Sequence, residues 1–253
     1  MLALSLGACQ WTPEYFTLVL ENFIGDRETG SGVIPMKQSR SWWLLVIVSL
    51  AVMIPFMAPY MTLNPDSSRV EVSSRTVQFP ALVAHIGFAF VAMVSGFMQF
   101  IRVLRQRHPK VHRYAGRVYV ASVFISGLLA LVVIGYVDDF SKAVSFLALT
   151  LLWLITCWKG YRTAVRRRFD EHRIWMIRSF GITLVAVCAR LMVPVLFLTY
   201  YVLNGLTVPG GRETMIDRVL NVNIWAGLVV ELVLVEWLIV SRYREAKRGS
   251  VDV

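Results

Sequence analysis

The sequence predicts an all-α, polytopic membrane bundle of six transmembrane helices with both termini in the cytoplasm. Three observations carry that expectation. Of the 253 residues, 57% are hydrophobic and 17% are charged, against roughly 25% charged in soluble domains. The apolar residues gather into six runs, each near the ~20 residues that cross a bilayer. The 26 Lys and Arg residues fall almost entirely between those runs. A net charge of +10 distributed in this way marks membrane-flanking loops rather than a base-reading surface, and no nucleic-acid partner is expected.

The six spans are expected at residues 42–62, 80–103, 117–137, 142–159, 178–203 and 219–241. The third and fourth are joined by a tight turn at Asp138-Asp139 and form an antiparallel hairpin. Pro55, Pro59 and Pro194 lie inside spans, which bilayer helices accommodate when neighbours satisfy the freed carbonyls. Orientation follows from the cations. Lys37 and Arg40 precede span one. Six follow span two (Arg102, Arg105, Arg107, Lys110, Arg113, Arg117). Seven follow span four (Lys159, Arg162, Arg166, Arg167, Arg168, Arg173, Arg178), and four lie in the tail (Arg242, Arg244, Lys247, Arg248). These nineteen oppose five on the other side, Arg69, Arg75, Lys142, Arg212 and Arg218. The positive-inside rule then places both termini in the cytoplasm.

Residues 1–36 read unlike the rest, with Glu14, Glu21, Asp26, Glu28 and a Gly/Ser stretch at 30–32. They are expected to be an extension or a misassigned start ahead of Met36. The membrane domain is expected over 37–245, with a cytoplasmic tail at 246–253. Of the three cysteines, Cys157 and Cys188 fall in spans and Cys9 in the extension, so no structural disulfide is expected.

The loops after spans two and four share a pattern. One reads His112-Arg113-Tyr114-Ala115-Gly116-Arg117; the other reads His172-Arg173-Ile174-Trp175-Met176-Ile177-Arg178. In each, a His-Arg pair precedes a second Arg at the next span, which points to a duplicated helical hairpin made of spans two–three and four–five. Together with His85-Ile86, Gln99-Phe100, Leu104-Arg105, Gly116-Arg117-Val118-Tyr119 and the terminal Ser179, these motifs resemble a bacterial membrane family, domain of unknown function 2306. The likeness covers roughly residues 80–240. It implies a multi-pass protein of the bacterial inner membrane and brings no activity with it.

Ionisable groups at membrane depth are functional candidates by default. Arg190 in span five and Glu231 in span six differ in depth by about 6 Å, at roughly 1.5 Å per residue, and are expected to form a buried ion pair or to line a ligand or proton path with Glu236. His85 heads a small, polar stripe through Ala89, Ala92, Gly96 and Gln99, a face suited to close helix packing or to a cavity. Arg113, Arg117, Arg173 and Arg178 stand where anionic head groups meet the bilayer, the partner expected beside the lipid itself. His112 and His172 are the candidate metal ligands. Two imidazoles can axially ligate a b-type haem, with arginines on its propionates. Two-haem cytochromes need four histidines within spans, so only a single bis-His haem at the cytoplasmic face fits.

There is no GxSxG, HExxH, P-loop or acidic metal cluster, and soluble-enzyme chemistry is not expected. The function classes left are a small-ligand, lipid-binding or transport-related protein, an accessory subunit, and a haem-bearing redox protein.

Overall fold

The computed structural model describes residues 40–249, with side chains through Ser241. The expected extension with its Cys9, residues 37–39 of the expected membrane domain, and the last four residues of the tail lie outside the described residues. The described chain is helical: α1 (Arg40–Met61), a single 3-10 turn (Pro65–Ser67), α2 (Gln78–Gln99), a short α3 (Arg102–Arg107), α4 (Pro109–Ile134), α5 (Phe140–Val165), α6 (Phe169–Leu203) and α7 (Gly211–Gly249). Six of these are long and apolar enough to cross a membrane.

Every expected span is present, but α4, α6 and α7 begin earlier than hydropathy suggests. Pro109 opens α4, where its missing N–H costs nothing and its fixed φ suits a first turn. The basic stretches are therefore largely helical, and His112 and His172 sit on helices instead of loops. Between α4 and α5, Asp139 caps the next helix by accepting from the Lys142 N–H at 2.7 Å. At the same end, Trp225 Nε1 of α7 donates to the Ser141 carbonyl at 3.2 Å.

α2 packs along α4, α6 lies against both α5 and α7, and α4 adjoins α5; α1 touches α2 and α6. The main core joins Trp42, Ala92, Met93, Phe97, Tyr119, Val123, Trp153, Cys157 and Phe180. Leucines and valines such as Leu44, Leu128, Leu198 and Val233 face outward, as lipid requires.

In α1, Pro59 cannot donate to the carbonyl of Pro55, four residues earlier. Arg69 supplies the missing bond, its Nη2 donating to that oxygen at 3.3 Å, and its guanidinium stacks over Phe56. The loop carrying Arg69 is tied down by Gln78. Its Oε1 accepts from the N–H groups of Ser73 and Ser74, and its Nε2 donates to the Glu71 carbonyl. In the same loop Arg75 pairs with Asp66.

A polar knot lies within the core. The Tyr119 hydroxyl bonds Ser179 Oγ at 2.8 Å and Thr183 Oγ1 at 3.0 Å. Trp153 Nε1 donates to Thr183 Oγ1 at 2.9 Å, and Thr183 donates to the Ser179 carbonyl. Three helices are thus joined through one hydroxyl. Thr183→Val is expected to strand the indole N–H and cost about 1–2 kcal/mol, read as a lower melting temperature in detergent. Thr183→Ser keeps the hydroxyl and should retain most of the stability; equal melting of the two variants would show that the knot contributes nothing.

Candidate functional site at the basic end of the bundle

α4 begins at Pro109 and α6 at Phe169, sixty positions apart. His112 and His172 each stand fourth in their helix, and Tyr119 and Ser179 each stand eleventh. The last two touch each other across the bundle. Seven residues are two turns, so each histidine lies on the same helix face as that contact, about 10 Å nearer the basic end. The two imidazoles therefore lie toward the same α4–α6 contact, and His172 and Arg105 lie within electrostatic reach of His112.

The two histidines are held differently. His172 Nδ1 lies 2.8 Å from the Gly160 carbonyl; since a carbonyl only accepts, Nδ1 is the donor in this bond. The position sixty before Gly160 is Phe100, which closes α2 just before the chain breaks into α3. His112 Nδ1 is buried and has no hydrogen-bond partner among the described residues. One turn further in, Gln99 lies over Gly116, where an added Cβ would stand 3.2 Å from its Oε1. Gln99 Nε2 is likewise buried without a partner. Two polar atoms unpaired among the described residues thus stand one turn apart along α4.

The other candidates are dispersed. His85 Nδ1 donates to the Ser126 carbonyl at 2.9 Å while Ser126 Oγ donates back to the His85 carbonyl at 3.0 Å, a clasp between α2 and α4. Arg190 faces α1, its guanidinium 3.6 Å from the Phe56 ring centroid and bonded to the Ala186 carbonyl, with Nε buried and unpaired among the described residues. Glu231 lies against Gly181 at the α6–α7 interface. No ion pair joins it to Arg190 among the described residues. The pairing at this interface is instead Arg178 with Glu236, bidentate at 2.6 and 3.0 Å. Of the candidate head-group arginines, Arg113 is exposed and donates to the Pro109 carbonyl, Arg117 is exposed, and Arg173 is half-buried. Arg178 stacks on Trp175 as well as pairing with Glu236.

Sequence reasoning placed Arg105 in the basic cluster and quoted Tyr119 and Ser179 among the family motifs, but did not bring the three together with the histidines. The signal was there in the sixty-residue offset, which relates Tyr119 to Ser179 as it relates the histidines.

A family model described as a predicted membrane protein, DUF2306, matches residues 82–239. The chain belongs to that family. The DUF2306 match runs from the second turn of α2 into α7, so it takes in His112 and His172, Gln99 and the Tyr119–Ser179 contact, while α1 precedes it. No curated protein and no solved structure matches the chain.

Proposed function

We propose that this membrane protein binds a small acidic ligand at the basic end of the bundle, in the crevice where α2, α3, α4 and α6 converge. The observation that carries this reading is the pair of buried polar atoms unpaired among the described residues, Gln99 Nε2 and His112 Nδ1. Leaving such groups unmatched costs about 1–3 kcal/mol each. An amide nitrogen is only a donor, so its complement is an acceptor oxygen. Among the described residues, the charged and titratable groups acting on His112 are Arg105 and His172. A carboxylate or phosphate ligand matches both facts. The positive-inside bias assigns this end to the cytoplasm, in a bacterium the cytoplasmic face of the inner membrane. A carrier and an accessory subunit would use such a site alike.

Thermal unfolding of the detergent-purified protein, titrated with inorganic phosphate or succinate, tests the reading. A saturable rise is expected with one of them, worth about 2.7 kcal/mol at a hundred times Kd, and lost in His112→Ala and Gln99→Leu. A flat response to both probes, or a rise that survives both substitutions, would sink it.

One observation favours a second reading, a single b-type haem. His172 donates from Nδ1 to a backbone carbonyl, the arrangement that orients a metal-ligating imidazole and leaves Nε2 for iron. His112 would be the opposite ligand. An absorption spectrum of protein from haem-sufficient cells, before and after dithionite, decides it. A Soret band lost in His172→Ala supports haem, and a featureless spectrum removes it.

A further inference from the structure

The turn between α5 and α6 carries a second site, apart from Gln99 and His112. An open groove of about 310 Å³ lies there, lined by Lys159, Arg162, Arg166, Arg168 and Trp175. Four cations share it with one carboxylate, Glu171, which meets Arg168 at 3.4 Å. Thr163, on the floor, has already given its hydroxyl hydrogen to the backbone of α5. Trp175 is gripped by charge, with Lys159 Nζ 4.6 Å from its ring centroid and the Arg178 guanidinium 4.8 Å away.

The groove has a definite depth. Trp158 and Tyr161 flank it on α5, about half exposed at 50% and 43%, with their rings 6.2 Å apart. Exposed tryptophan and tyrosine at the end of an apolar helix mark the head-group level of a bilayer. A cationic groove at that level faces the phosphates of the neighbouring lipids, and guanidinium groups match phosphate oxygens two at a time.

We infer that this groove binds the phosphate of an anionic phospholipid, with Arg162 and Arg166 on the phosphate and Lys159 and Arg168 completing the charge. Trp175 forms the wall beside the head group. The head-group contact thus belongs to the α5–α6 turn, while Arg113, at the start of α4, is spent on its own helix and Arg178 on Glu236.

Native mass spectrometry of the full chain in detergent, titrated with phosphatidylglycerol or phosphatidylcholine, tests the assignment. Retention of phosphatidylglycerol over phosphatidylcholine is expected. It should fall at least tenfold in Arg162→Gln/Arg166→Gln and persist in Arg113→Gln/Arg117→Gln. Equal retention of the two lipids, or undiminished retention in the groove variant, overturns it. Inorganic phosphate is titrated in parallel: if millimolar phosphate binds in the groove and strips the lipid, the ligand is free phosphate and the lipid assignment fails. Should the double variant not fold, Arg166→Gln alone is read in the same way, since Arg166 is exposed beyond the end of α5. The His112→Ala variant is expected to keep its phosphatidylglycerol, which separates this result from the crevice reading.

Discussion

Replacing Gly227 with leucine is expected to leave little correctly folded protein. Gly227 lies where α7 crosses α6, and a Cβ there would stand 2.7 Å from both the N and Cα of Ala189. The obstacle is backbone, which cannot swing aside as a side chain can. The helices must separate, and every contact along their shared length loosens with them. Overpacking a core costs about 1–3 kcal/mol when side chains can adjust; with backbone in the way, the upper part of that range or more is expected. The readout is the monodisperse fraction on fluorescence-detected size exclusion, with the melting temperature of whatever survives. Gly87→Leu is the control, because nothing lies within 4 Å of a Cβ there. If the two variants behave alike, the close crossing of α6 and α7 is wrong.

Replacing Arg190 with methionine is expected to stabilise the protein. A guanidinium at this depth carries a penalty of roughly 2.5–3.5 kcal/mol on insertion scales. Here its compensation is modest: one bond to the Ala186 carbonyl and the face of Phe56, with Nε unpaired among the described residues. Methionine keeps most of the stem and its packing while removing the charge. A gain of about 1–3 kcal/mol follows, by the logic that makes apolar replacement of buried ions favourable. The measurement is melting temperature in detergent and again in lipid nanodiscs. A loss of stability in both would mean that Arg190 is held by more than these contacts. A gain would mean that the charge is kept for a task other than folding, which turns attention to the face it shares with Phe56 and Tyr60.

The six spans were legible because about twenty apolar residues have one economical place to go. Their beginnings were not. Hydropathy reports where lipid ends, whereas the hydrogen-bonded ladder runs on into water, so α4 starts at Pro109 and α6 at Phe169, ahead of the apolar runs. The residue types of the crevice were also legible, since His112, His172 and Gln99 stand out in an apolar chain. Pairing across helices was not. Depth along the bilayer suggested Arg190 with Glu231, but depth fixes height and leaves the direction around the helix open. Glu231 meets α6 at Gly181; Arg190 is nine residues on, two and a half turns at roughly 3.6 residues per turn, and so looks the opposite way. The same reasoning, applied with the helix period, would have favoured Arg178, three residues before Gly181 and bound to Glu236. The residue pattern marked the cations of the α5–α6 turn as a basic cluster but not as a groove, because they lie on both sides of a turn whose closure only the fold supplies.

The loop after α1 has an electrical consequence. Arg75 is matched by Asp66 within it, and Arg69 is engaged on the Pro55 carbonyl. Together with Glu71, Asp138, Asp139, Glu213 and Asp217, the five cations of that end face six acids, so it is close to neutral while the other end is strongly positive. The folded protein is a dipole standing upright in the bilayer. Each elementary charge moved across a membrane poised at 100 mV changes the energy by about 2.3 kcal/mol. The chain's net charge is +10, so turning this molecule over would carry roughly ten net charges through that field, on the order of tens of kcal/mol. With the basic end on the negative side, as the positive-inside rule expects, the cell's own voltage would hold that orientation as firmly as the loops do.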